Sequence, residues 1–135
     1  MQRPDPTAGM RHVALFVNKF EECEKFYVDL IGMQVERRPA ADNVYLCGGN
    51  DNLALHRSDK DFSGPQHLDH IGFIIDDPEQ VSVWYEFLCE HSTEMKTQPR
   101  DHRDGARSFY CADPDGNTVQ FIYHPPLSAV KRKSN

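Results

Sequence analysis

A chain of 135 residues can form one domain with a true core, or two small modules that share one. Hydrophobic residues make up 39%, and no apolar run approaches the roughly 18 residues a membrane span needs. The net charge of −6 argues against a general nucleic-acid binder. Met1 to Met10 carries Pro4 and Pro6 and no apolar stretch of the signal-peptide kind. The four cysteines, Cys23, Cys47, Cys89 and Cys111, form no CxxC pair, which speaks against a zinc knuckle or a thioredoxin-like site. The expectation is buried free thiols in a reducing, cytoplasmic setting.

In chain order, residues 1–9 read as a tail. His12 to Val17 then alternates like a half-buried strand. His12, Ala14 and Phe16 share one face, and Val13, Leu15 and Val17 share the other. Asn18 reads as a helix N-cap with Glu21 completing a capping box. Phe20, Cys23, Tyr27, Leu30 and Ile31 follow at helical spacing, and Gly32 stops the helix. Met33 to Arg38 reads as a strand that Pro39 breaks. Asn43 to Cys47 and Asn52 to Arg57 are two more strands around the turn Gly48-Gly49-Asn50-Asp51.

Residues 58–67 read as a polar linker, and the plan then repeats. His70 to Ile75 matches His12 to Val17 at an offset of 58 residues. Asp77 is an N-cap, Pro78 suits the first helical position, and Gln80 completes a capping box. Val81, Trp84, Tyr85 and Leu88 match Cys23, Phe26, Tyr27 and Leu30 at the same offset, so the repeat runs through the helix. Thr93 to Gln98 is a strand and Pro99 to Gly105 a charged loop. Ala106 to Cys111 is a strand, Asp113-Pro114-Asp115-Gly116 a turn, and Asn117 to Tyr123 the last strand. Residues 125–135 read as a tail, with Lys131-Arg132-Lys133 solvated.

The fold class is therefore α+β. Two tandem βαβββ modules, residues 10–57 and 68–124, form a curved mixed sheet around a central cleft. Burial of Leu53, Leu55, Val119 and Phe121 against helices turns Ala54, His56, Gln120 and Ile122 to the other face. His12, His56, His70 and Gln120 are expected to converge on one cavity. In the charged loop, Arg100, Arg103 and Arg107 allow either a lid over an anionic ligand or a solvated hairpin with internal ion pairs. Arg107, which enters a strand, is the strongest functional candidate of the three. Phe16, Phe26, Tyr27, Trp84 and Phe109 read as core.

The combination of RHVALFV, Phe26-Tyr27, Leu30-Ile31-Gly32-Met33, DHIGFII and Asp113-Pro114-Asp115-Gly116-Asn117 resembles the vicinal oxygen chelate superfamily. That group includes glyoxalase I, the bleomycin resistance proteins and the extradiol dioxygenases. The resemblance implies a divalent metal (Fe, Mn, Ni, Co or Zn) held by His12, His70 and Gln120, with Ala54 at the fourth ligand position. Gln120 departs from the carboxylate usual there, and Ala54 has no donor, so a metal is expected to bind weakly. His56 and Arg107 are the candidate catalytic residues. The implied functions are a metal-dependent enzyme acting on a small substrate with vicinal oxygens (a lyase, isomerase or ring-cleaving dioxygenase) or, alternatively, a non-catalytic small-molecule-binding or resistance protein. The implied partners are a small-molecule ligand and a second copy of the chain, a homodimer, with no nucleic acid and no membrane.

Overall fold

The computed structural model describes residues 1–6, 8–62 and 67–128. The solvated tail at Lys131-Arg132-Lys133 and part of the 58–67 linker lie outside them. The chain divides into two compact units, Met1–Asp61 and Phe62–Asn135. Each is described by itself.

In the first unit, β1 (His12–Val17), β2 (Gln34–Ala40), β3 (Asn43–Cys47) and β4 (Asn52–Arg57) form a sheet in the order β1-β4-β3-β2. β1 and β4 run parallel, with Ala14 opposite Ala54 and Phe16 opposite His56. The other pairs are antiparallel. Helix α1 (Phe20–Lys25) continues into a π-helical turn at Phe26–Leu30. Leu15, Val17, Val44, Leu46, Leu53 and Leu55 form the buried side of the strands, with Phe20, Cys23, Phe26 and Tyr27 supplied by the helix. This is the face assignment that alternation predicts.

Three local expectations are corrected. No side chain caps α1 at its start: its N-cap residue is Lys19, and the Asn18 amide donates to the Lys60 carbonyl instead. Glu21 is taken by a bidentate pair with Arg57, whose guanidinium also lies 4.9 Å above the Phe20 ring. That hydrogen bond holds the Glu21 carboxyl below its usual range. A partner distant in sequence has replaced the local capping box. Finally, β2 runs through Pro39. It is the outer strand of its sheet, and its register shifts between Arg37 and Ala40, where a missing N–H is tolerated.

In the second unit, β5 (Ile71–Ile74), β6 (Glu94–Met95), β8 (Arg107–Ala112) and β9 (Thr118–Tyr123) follow the order β5-β9-β8-β6. A short β7 (Arg100–Asp101) also pairs with β8. The strand expected over 93–98 is thus only two residues long, and the charged loop holds a bridge of its own. α2 (Pro78–Glu90) takes the expected N-cap and Pro78 opening but not the capping box: the Asp77 side chain accepts from the Glu79 backbone N–H at 2.9 Å, while the Gln80 N–H donates to the Asp77 backbone carbonyl. A short α3 (Pro125–Ser128) follows β9.

The core of this unit is aromatic. Phe121 stacks on Phe109 (5.1 Å), Trp84 (5.4 Å) and Phe73 (5.6 Å), and Tyr85 meets Phe109 edge-on. The Asp113 turn is held from within. Asp113 is buried and accepts from the backbone N–H groups of Asp115 and Asn117 and from the Asn117 amide, each at 2.9 Å. Gly116 sits at φ +89°, a conformation that favours glycine.

None of the four cysteines forms a disulfide. Cys23 and Cys111 are buried, but Cys89 is exposed, contrary to expectation. Val81 and Leu88 are the fully buried residues of α2, and Cys89 falls one position past that stripe. Burial, reinforced by nearby Asp113, pushes the Cys111 thiol up to about 12, which removes it as a nucleophile at neutral pH.

Candidate functional site

Each sheet has a helix-covered face and an open one, and the candidate residues divide between them. On the open face of the first unit stand His12, Ala14 and Phe16 of β1, Asn52, Ala54 and His56 of β4, and Tyr45 of β3. The register sets these opposite one another: His12 to Asn52, Ala14 to Ala54, Phe16 to His56 and Tyr45 to Ala54. His12 Nδ1 lies 2.6 Å from Asn52 Oδ1, and the Asn52 amide nitrogen donates to the Glu36 carboxylate. The His56 ring sits between Phe16 (5.8 Å between centroids) and Tyr45 (6.5 Å). Phe16 is 65% exposed, so it is not the core residue that its apolar character suggested.

In the second unit His70 directly precedes β5. Its Nδ1 lies 3.2 Å from Asp69 Oδ1, and its ring meets Tyr110 edge-on at 5.3 Å. Gly72 pairs with Gln120, and Gln120 with Tyr110. The Gln120 amide donates to the Tyr110 hydroxyl at 3.0 Å. His70, Tyr110 and Gln120 therefore form one polar group beside Ile122. Ser108, on the same face, is buried and lies 3.0 Å from His102 Nε2.

The two registers match. Ala14 opposite Ala54 in one unit corresponds to Gly72 opposite Gln120 in the other. This equates Ala54 with Gln120, as the sequence repeat suggests. Gly72 leaves room for the glutamine: a Cβ there would lie 3.4 Å from Gln120 Oε1. Gly72→Val is expected to push Gln120 off Tyr110 while changing stability by less than about 1 kcal/mol. The measurements are a denaturation midpoint and loss of the Gln120–Tyr110 cross-peaks in an NMR spectrum.

Arg107 is placed elsewhere. It shares the helix side of β8 with Phe109 and Cys111, and it donates to Ser82 of α2 at 2.7 Å and to Asp101 at 3.4 Å. It does not join the open-face group of its unit, because alternation along β8 turns Ser108 and Tyr110 there instead. Asn52 and Glu36 were not singled out from the sequence. For Asn52 the signal was available, since it shares parity with Ala54 and His56.

The residues present do not fit a tightly held divalent metal. Ala54 has no donor atom, and Gln120 offers only a neutral amide oxygen where a carboxylate would be the stronger ligand. Among the described residues no group of three or more His, Cys, Asp or Glu side chains is placed to hold a metal ion. Nor is any described helix long and apolar enough to cross a membrane.

A βαβββ pair with a histidine at the start of β1 and another just before β5 defines a class, and the family comparison agrees. Residues 9–121 match the model of the Glyoxalase/Bleomycin resistance protein/Dioxygenase superfamily, and the chain belongs to that family. Among solved structures it is similar to a lactoylglutathione lyase from Agrobacterium tumefaciens, with TM-score 0.75 and 20% identity over 95% of this chain and 100% of that one. A glyoxalase/bleomycin resistance protein/dioxygenase from Alicyclobacillus acidocaldarius gives TM-score 0.69 and 23% identity over 92% and 95%. A glyoxalase family protein from Enterococcus faecalis gives 0.67 and 25% over 85% and 97%. The first two likenesses carry the fold alone. No curated protein matches the chain.

Proposed function

We propose that this chain is a small-molecule-binding member of the superfamily that holds its ligand without a resident metal, as a homodimer. Each unit offers an open face to a ligand: His12, Asn52, His56 and Tyr45 in the first, and His70, Tyr110 and Gln120 in the second. Imidazole, phenol and amide groups beside exposed Phe16 suit a small, partly aromatic compound with polar substituents. The observation that carries this reading is Ala54, which stands at the register position of Gln120 and offers no atom to a metal or a substrate proton. Gln120 itself is an amide, so neither position supplies a carboxylate base.

A second reading, a metal-dependent lyase, isomerase or ring-cleaving dioxygenase, has one observation in its favour. His12 and His70 both engage an oxygen through Nδ1, which leaves Nε2 outside those contacts, the arrangement of a ligating histidine with a supporting acceptor. His12, His70 and Gln120 would then be the ligands, with His56 as the acid–base group.

Elemental analysis separates the two. Protein purified without chelator is expected to carry substoichiometric metal, and added Fe, Mn, Ni, Co or Zn is expected to leave the melting temperature unchanged. Stoichiometric metal that His12→Ala abolishes would overturn the binding-protein reading in favour of the enzyme.

A further inference from the structure

We infer that Asn52 and Glu36 are positioning residues that hold the neutral His12 ring as its Nδ1–H tautomer, making Nε2 an acceptor. The assignment follows from donor and acceptor capacity alone. An ionised carboxylate only accepts hydrogen bonds, so the group Asn52 turns toward Glu36 is its NH₂. The amide is planar, so its Oδ1 faces the other way, toward His12 Nδ1 at 2.6 Å. An amide oxygen carries no hydrogen, so the proton between the two belongs to the imidazole. One carboxylate thereby fixes the amide orientation, and the amide fixes the tautomer.

The second unit reaches the same state by other means. His70 Nδ1 faces the Asp69 carboxylate at 3.2 Å, and Asp69 stands where the first unit has Arg11. The acceptor has moved from a neighbouring strand to the preceding residue, and the nitrogen outside that contact is again Nε2. The functional consequence rests on the proposed binding role. The ligand group that meets His12 or neutral His70 is a hydrogen-bond donor, a hydroxyl or an N–H. A ketone or carboxylate oxygen at either position would face a lone pair.

Long-range ¹H–¹⁵N imidazole spectra of the full chain at about pH 8.5, above the usual histidine range, test this with no ligand present. Success or failure is therefore independent of the binding proposal. The expected wild-type spectrum has a protonated-type shift at His12 Nδ1 and a lone-pair-type shift at Nε2. In Asn52→Leu both nitrogens move to intermediate, exchange-averaged shifts, while the His70 signals stay in place. Asn52→Asp, which keeps an acceptor, restores the wild-type pattern. Glu36→Gln, on the exposed edge strand, gives partial averaging and serves if Asn52→Leu does not fold. A wild-type His12 protonated at Nε2, or His12 shifts that ignore both Asn52→Leu and Glu36→Gln, would overturn the assignment.

Discussion

Phe121→Ala is expected to cost about 3–5 kcal/mol, a large share of the roughly 5–15 kcal/mol that holds a small domain together. Phe121 is 1% exposed and lies in contact with three other rings, those of Phe73, Trp84 and Phe109. Truncation removes its transfer energy, opens a cavity that two sheet strands and α2 cannot collapse together, and deletes three ring contacts. Phe16→Ala provides the contrast. That ring is 65% exposed, and its loss is expected to cost no more than about 0.5 kcal/mol. Urea denaturation of both variants measures the difference. Equal costs would mean that the second unit's aromatic stack is not its core.

Asp113→Ala is the other large effect, at about 2–4 kcal/mol. The Asp113 side chain accepts three hydrogen bonds inside the turn, two from backbone N–H groups and one from the Asn117 amide. The side chain is buried, so alanine strands donors that water reaches poorly, and each stranded group costs about 1–3 kcal/mol. Asp113→Asn keeps one acceptor and is expected to fall between wild type and alanine. A thermal or urea melt decides it, and a neutral Asp113→Ala would show that the turn is held by other means. The Asp-Pro-Asp-Gly-Asn stretch is thus structural: it sets where β9 begins, and so which residue of β9 stands opposite Gly72.

The repeat was the most legible feature of the chain. A histidine followed by alternating apolar residues, twice at an offset of 58, gave β1, β5, α1 and α2. Burial of Leu53, Leu55, Val119 and Phe121 gave the faces of β4 and β9, and the observed registers equate Ala54 with Gln120. What was not legible depended on partners distant in sequence. The Asn18–Glu21 pattern matches a capping box, but Arg57 takes Glu21 first. Pro39 reads as a break until β2 is known to be an edge strand. Arg107 was read for its charge, although its parity with Phe109 already assigns it to the helix side. Asn52 and Glu36 lie 16 residues apart and meet only when β2, β3 and β4 pair. Parity puts Asn52 on the face of Ala54 and His56, but no local spacing announces its meeting with Glu36, and that pairing had to come from the structure.

The central claim is ligand binding without a metal, and thermal stabilisation measured with and without excess chelator tests it most directly. For a small aromatic hit from a screen, added at 100 times its dissociation constant, stabilisation of about 2.7 kcal/mol is expected. It should be the same in chelator and be lost in the His70→Ala/Gln120→Leu double variant. Stabilisation that disappears in chelator and returns with one equivalent of a divalent metal would contradict the account.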